Sequence, residues 1–265
     1  TLFETLINSK KLSNKDLSYL TCLISGGDSL SSSLKHKIDD FLKSHGSNTI
    51  IRPAYGLTEA TAGVCMTPVN ESRDNSIGVP VPDTYIKIVV PNTHTEVATG
   101  IEGEICINGP TVMMGYLNNP KETSQALQYH EEDKKVWLHT GDLGYVDKDG
   151  FVYFKQRLKR MIVSSGYNIY PSYIEEVIEK HPNVLTSTVI GIDHPYKVQV
   201  AKAYIVLKEG YKPTHEIKKS IKEHCEKNIA KYAMPYVFEY RSDLPRTKLG
   251  KVNYQALESE NNIKK

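Results

Sequence analysis

The sequence predicts a layered α/β region, then a β-rich region, then a compact α+β unit. Three observations carry that reading. Over residues 1 to about 60, short apolar runs alternate with helically spaced apolar positions. From about 76 to 157, strand-like stretches are separated by Gly, Pro and Asn-Asp punctuation. Beyond the basic stretch Lys155-Gln156-Arg157-Leu158-Lys159-Arg160 the helix–strand alternation returns. A chain of 265 residues is long enough for more than one compact unit. The expected boundary lies near 157–160, giving a first unit over 1–157 (α/β to about 75, β-rich from about 76) and a second over 158–265.

Taken in order, Leu2, Phe3, Leu6 and Ile7 share a helix face, and Leu20 to Ile24 is a strand-like run ended by Gly26-Gly27. Helical spacing of Leu34, Ile38, Phe41 and Leu42 follows, and a further strand begins at Thr49-Ile50-Ile51. That order suggests partly parallel strands. Strands are expected at Tyr85–Val90, Glu104–Asn108 and Phe151–Phe154, with Asp147-Lys148-Asp149-Gly150 as a hairpin turn. In the last block a helix follows Pro171 (Ile174, Val177, Ile178), strands run near 185–192 and 200–207, and a helix covers about 214–229.

Composition narrows the function. Apolar residues make up 39% and charged residues 24%, ordinary values for a globular protein. A net charge of +2 gives no argument for a nucleic-acid or membrane partner. No apolar run approaches bilayer-spanning length, and no signal peptide is visible. Four cysteines without CxxC spacing suggest free thiols in a reducing, cytoplasmic setting, and nine histidines are scattered without metal-ligand spacing. The opening at Thr1, in a helix and without an initiator Met, reads as a piece of a longer chain.

Five segments carry chemistry-bearing residues. Tyr55-Gly56-Leu57-Thr58-Glu59 follows a strand, placing a hydroxyl suited to phosphate and a carboxylate suited to Mg²⁺ at a strand's C-terminal end. Thr58 fits equally as a helix cap. In Trp137-Leu138-His139-Thr140-Gly141-Asp142-Leu143-Gly144, a Gly-Asp turn offers a carboxylate that can accept two ribose hydroxyls, and it fits equally as a plain turn between strands. His139 reads as a strand residue rather than a base. Arg157-Leu158-Lys159-Arg160 is either a solvated basic face or, at the junction, a nucleotide-reaching Arg157 beside a hinge residue Lys159. Ser164-Ser165-Gly166-Tyr167-Asn168-Ile169-Tyr170-Pro171 is either a strand-to-helix loop or a glycine that lets a ligand approach. Lys251, in Arg246-Thr247-Lys248-Leu249-Gly250-Lys251, is either an ordinary exposed lysine or a mobile cation for charge developing at an α-phosphate.

In order and spacing the five together resemble the adenylate-forming (AMP-binding) superfamily: acyl- and aryl-CoA synthetases, firefly luciferases and peptide-synthetase adenylation domains. Gly26-Gly27 resembles the glycine pair lining the adenine site there. Gly166 to Pro171 and Trp137 to Asp142 resemble the acyl-CoA synthetase branch. The resemblance implies the C-terminal part of the large adenylate-forming domain, α/β layer plus β-rich subdomain, followed by a small mobile α+β domain. It also implies ATP, Mg²⁺, coenzyme A and a small carboxylic acid as the molecules bound. By it, Tyr55 stacks on adenine beside Gly56, Thr58 and Glu59 serve phosphate and Mg²⁺, and Asp142 and Arg157 hold ribose. Lys159 is the hinge, Gly166 and Tyr167 line the pantetheine path, and Lys251 serves adenylation.

Some positions depart from that pattern. Gln156 stands where Gly or Asp often precedes the arginine, Tyr173 replaces a common Glu, Tyr254 a common Arg, and residues 193–200 lack a Gly-Glu pair. No Ser/Thr/Gly-rich triphosphate loop ending in Pro-Lys precedes Tyr55; Ser25-Gly26-Gly27-Asp28-Ser29 lacks the lysine. The expectation is therefore a fatty acyl-CoA ligase as the parent, with this chain an inactive portion lacking the N-terminal half. The alternatives are an adenylation protein that loads a carrier-protein thiol and a nucleotide-binding protein without turnover.

Overall fold

The computed structural model describes residues 2–27, 30–248 and 250–262. The chain forms two compact units, divided between Lys155 and Gln156. Among the described residues no helix is long and apolar enough to cross a membrane.

The first unit opens with α1 (Leu2–Ile7), β1 (Leu23–Ser25), α2 (Ser32–Ser44) and β2 (Ile51–Leu57). The Ser31 side chain caps α2 by accepting from the Leu34 N–H. Ile38 and Leu42 then bury one helix face against Ile51. Asp39, ion-paired with Lys35, accepts the Ile51 N–H at 2.7 Å and so fixes the entry to β2. The expected parallel pair forms between β1 and β2, with Leu23 beside Ile51.

A 3₁₀ turn over Thr58–Ala60 leads to β3 (Ala62–Met66) and β4 (Val79–Pro80), which extend that sheet in the order β1-β2-β3-β4. A second sheet is built from β5 (Tyr85–Val89), β6 (Gly103–Asn108), α3 (Pro120–Ala126) at its side, β7 (Leu127–His130), β8 (Lys135–Val146) and β9 (Val152–Arg157). Its order is β5-β6-β8-β7, with β9 paired to β8. The two sheets share a core of Val64, Cys65, Ile88, Ile105, Ile107, Leu138 and Val152. At the turn after β8, Asp147 Oδ1 accepts the N–H groups of Asp149 and Phe151, Gly150 takes φ +86°, and Arg73 pairs with Asp147 Oδ2.

After the last two residues of β9, Gln156 and Arg157, the second unit continues with a 3₁₀ turn, Leu158–Arg160, followed by β10 (Ile162–Ser164), β11 (Tyr167–Ile169), α4 (Pro171–Glu179), β12 (Val184–His194), β13 (Val198–Leu207), α5 (His215–Asn228), β14 (Val237–Arg241) and α6 (Tyr254–Asn262). Strand order is β11-β10-β13-β12, with β14 added parallel to β13. Alternation along β12 and β13 sends Val189, Ala203 and Ile205 to the α4/α5 side, and Ile190, Tyr204 and Val206 to the α6 side. Both faces of this sheet are therefore covered, which explains its continuous apolar runs.

Two expectations are corrected. Asp142 does not sit in a turn: β8 runs unbroken through it, and Thr140, Gly141 and Asp142 stand opposite Ile105 alone on β6. Gly141 accommodates this bulge at φ +68°. The segment before Pro171 is not a strand-to-helix loop either. Ser164 pairs with Tyr167 across a two-residue turn in which Ser165 and Gly166 take φ 51° and 82°, the geometry of a type I′ hairpin.

Candidate functional site

The parallel pair β1–β2 ends where the first unit collects its polar chemistry. Gly26 leaves β1 in close contact with Ala54; a Cβ there would meet the Ala54 carbonyl oxygen at 3.3 Å. Gly27 follows at φ +88°. Tyr55, the next residue on β2, donates its hydroxyl to Asp142 Oδ2 at 2.7 Å. Burial, reinforced by that carboxylate, pushes the Tyr55 phenol far above its ordinary range, so it serves as a donor. Gly56 has a packing reason: a Cβ would fall 1.5 Å from the Ala62 carbonyl oxygen, at the register shift where β2 pairs antiparallel with β3.

Asp142 is 2% exposed and held in place by its bulge. Thr140 Oγ1 donates to the Ile105 carbonyl at 2.7 Å and accepts the Asp142 N–H at 3.0 Å. Buried Glu104 accepts the Gly141 N–H at 2.9 Å. Three neighbours thus fix the backbone that presents the carboxylate.

Thr58 and Glu59 open the 3₁₀ turn after β2, and Thr58 is exposed. Leu57, not Thr58, occupies the cap position, and no side chain caps the turn. Glu59 Oε1 accepts the Tyr116 hydroxyl at 2.7 Å, and burial together with that carboxylate pushes the Tyr116 phenol up to about 12. The Glu59 carbonyl accepts the Met113 N–H. Thr61 and Ala62 follow at φ 54° and 77°, left-handed values that cost a β-branched residue about 1–3 kcal/mol. One carboxylate beside a hydroxyl is a donor set that suits Mg²⁺ when phosphate oxygens complete the shell.

The remaining predicted residues belong to the second unit. Arg157 ends β9, exposed, and Lys159 is exposed in the 3₁₀ turn that follows. Arg160 beside it points inward, pairing with Glu175 and covering the Tyr254 ring at 3.9 Å. Gly166 is the second turn residue of the β10–β11 hairpin, and Tyr167 stacks on Tyr232 at 4.8 Å. Tyr232 lines a cleft of about 630 Å³ together with Lys197, Lys222 and Lys231. Lys251 is exposed in a turn where Thr247 donates to its carbonyl at 2.7 Å and Gly250 takes φ +82°. Leu249 of that motif, and Asp28-Ser29 after the glycine pair, lie outside the described residues.

Sequence reasoning missed Tyr116, Glu104 and the side-chain work of Thr140. Tyr116 meets Glu59 across 57 residues, and no local spacing signals such a pair. It also missed a gathering of histidines. His94, His130 and His139 bring one ring nitrogen each within 4.8 Å of the others, although no motif links them. Burial, then the Lys87 ammonium and the two neighbouring imidazoles, lowers His130 to about 4. Tyr173 and Tyr254, which depart from the expected pattern, both have partners here: the Tyr173 hydroxyl donates to the Asn228 carbonyl at 2.7 Å, and Tyr254 underlies Arg160.

Comparison with known proteins gives two family matches: AMP-binding enzyme over residues 1–117, and AMP-binding enzyme C-terminal domain over residues 173–251. The chain is 34% identical over 256 residues to a long-chain-fatty-acid–CoA ligase of Bacillus subtilis (strain 168), an alignment covering 95% of this chain and 43% of that protein. It resembles the crystal structure of ATP-bound MatB from Rhodopseudomonas palustris with a TM-score of 0.86 at 26% identity, over 99% of this chain and 50% of that one. It also resembles o-succinylbenzoate CoA synthetase (MenE) from Bacillus subtilis in complex with the acyl-adenylate intermediate OSB-AMP, with a TM-score of 0.82 at 28% identity, over 97% and 49%. The chain spans less than half the length of the curated long-chain-fatty-acid–CoA ligases it matches.

Proposed function

The chain belongs to the family of AMP-binding enzymes, and from that premise we propose that it works as part of an ATP-dependent, AMP-forming acid–thiol ligase. In this reading ATP and a carboxylic acid give an acyl-adenylate and pyrophosphate, and the acyl group then passes to the thiol of coenzyme A. The names of the related ligases favour a long-chain fatty acid as the substrate. The first unit is the C-terminal part of the large domain, and the second is the small domain that moves about Lys159. The setting is cytoplasmic, in keeping with four free thiols.

The observation that carries the reading is the Tyr55–Asp142 hydrogen bond at the carboxyl end of a parallel strand pair. It joins two nucleotide motifs into one place, at the edge where open α/β sheets receive ligands. Tyr55 supplies an aromatic face to adenine, with Gly26 and Gly27 leaving the approach uncrowded and Gly56 permitting the close β2–β3 pairing. Asp142 accepts from ribose and Arg157 steadies it. Thr58 donates to phosphate, and Glu59 takes one position on Mg²⁺. When bound, Mg²⁺ neutralises phosphate charge and orients the nucleotide. Lys251 offsets charge that builds between the attacking carboxylate and the α-phosphate. Gly166 and Tyr167 flank the thiol's path in the second half-reaction.

Lys251→Ala tests the assignment in protein of the full length of its relatives. ATP–pyrophosphate exchange with a fatty acid falls about 10²-fold or more, while transfer from pre-made acyl-AMP to coenzyme A persists. Equal loss of both half-reactions removes the role given to Lys251. Thioester formation with coenzyme A, measured beside a carrier protein, fixes the acceptor, and a panel of acids fixes the acyl chain.

A further inference from the structure

One face of the β5-β6-β8-β7 sheet holds a buried polar cluster that the nucleotide reading does not use. His139 on β8 stands opposite Cys106 on β6, His130 ends β7, and His94 reaches over from the turn after β5. His130 is 0% exposed and His139 9%, while His94 is half-buried and gives the cluster a side open to solvent. The His94 and His130 rings stack at 4.0 Å, and Nε2 of His130 lies 2.9 Å from Nε2 of His139.

The hydrogen positions follow from the partners. A carboxylate only accepts, so His139 Nδ1 donates to Glu104 Oε2 at 3.0 Å and its Nε2 keeps a lone pair. His130 Nε2 then donates to that lone pair, which leaves the lone pair of His130 on Nδ1. That atom is buried and has no hydrogen-bond partner among the described residues. His94 Nε2 faces the Gln128 amide oxygen at 2.9 Å and donates to it, so its lone pair is on Nδ1. One nitrogen of each of the three rings lies within 4.8 Å of the others, and an ion entering between His130 and His139 would replace their hydrogen bond, the His130 proton moving to the unpartnered Nδ1.

We propose that His94, His130 and His139 bind a borderline divalent transition-metal ion of the Zn²⁺ class, with Glu104 orienting His139 through Nδ1. Imidazole nitrogens are the preferred donors of such ions. A carboxylate behind a ligating histidine is the usual device for fixing its tautomer and ring orientation. Zn–N bonds of about 2.1 Å place tetrahedral ligand nitrogens about 3.4 Å apart. The ring nitrogens already lie within 4.8 Å of one another, and the 2.9 Å between the Nε2 atoms of His130 and His139 need open by only about 0.5 Å to reach that spacing. The Lys87 ammonium faces the cluster, and Asp133 neutralises it at 3.0 Å. Glu104 also accepts the Gly141 N–H, so the ion braces the bulge that presents Asp142.

The test uses chelator-stripped full chain titrated with Zn²⁺ by calorimetry, and with Co²⁺ by the visible absorption of a low-coordinate cobalt site. One equivalent per chain binds, and His94→Ala and His130→Ala each weaken binding at least tenfold. His36→Ala, on the exposed face of α2, leaves it unchanged. Far-UV circular dichroism and thermal melts establish that the variants are folded, and His94→Gln repeats the test with less loss of volume. Absence of a one-equivalent site in the unaltered chain overturns the proposal. So does binding by folded His94→Ala and His130→Ala that is as tight as the parent's.

Discussion

The Tyr55 hydroxyl donates to Asp142 Oδ2 at 2.7 Å, tying β2 to β8 across 87 residues of sequence. Tyr55→Phe keeps the ring and removes the donor, leaving one oxygen of a buried carboxylate without that bond. The unfolding free energy of the first unit should fall by about 1–3 kcal/mol, read as a shift in urea midpoint at constant m-value. An unchanged midpoint would mean that the bond contributes nothing net.

Gly56 allows no side chain. Gly56→Ala drives a methyl group into the Ala62 carbonyl, and backbone of a paired strand cannot give way cheaply. The expected loss is about 3 kcal/mol or more, measured by thermal melting. Gly166→Ala, where nothing lies within 4 Å of the added Cβ, should cost only the strain of its positive φ, about 1 kcal/mol.

Glu175 is a polar junction inside the second unit. It accepts from Arg160, from the Val189 N–H at 2.7 Å and from the Thr188 hydroxyl at 3.1 Å. Glu175→Ala leaves Arg160 largely buried without its counter-charge and should destabilise this unit by about 3 kcal/mol. Glu175→Gln keeps an acceptor and should recover part of that loss. Denaturant unfolding of the two variants side by side separates charge from hydrogen bonding.

Acid should weaken the first unit through Asp147. Burial raises its pKa, but the Phe151 and Asp149 N–H groups and Arg73 more than offset this and hold it below the ordinary value. The native state therefore binds the proton more weakly than the unfolded chain does. The stabilisation is complete above the unfolded pKa and is lost as pH falls through the folded one. Unfolding midpoints at about pH 6 and about pH 3 should differ, and Asp147→Asn should narrow that difference by lowering the pH 6 value.

How much of this was legible depended on how local the cause was. The spacing of Leu34, Ile38, Phe41 and Leu42 predicts α2 because the buried stripe lies within the segment. The Asp147–Gly150 turn and the start of α4 at Pro171 are equally local. The helix α3 was invisible for the opposite reason: none of its residues is buried, so no apolar stripe marks it. Asp142 was legible as a residue but not in its setting, because the bulge answers to Ile105 and Glu104 on a neighbouring strand. The Glu59–Tyr116 pair and the three histidines exist only through sheet register, which one sequence does not print.

The bulge in β8 has a consequence for how this segment can change over generations. Three residues face one, so the excess is even: His139 still meets Cys106 below it, and Leu143 still meets Glu104 above it. A strand's sides repeat every two residues, and an even surplus leaves that rhythm intact on both flanks. Losing a single residue from the stretch Thr140–Asp142 would reverse the sides of everything beyond it, bringing Tyr145 where Gly144 now packs against the Tyr153 carbonyl. Losing two would restore a plain ladder and keep the sheet. The carboxylate therefore rides on a two-residue surplus in β8 that the strand pairing itself does not require.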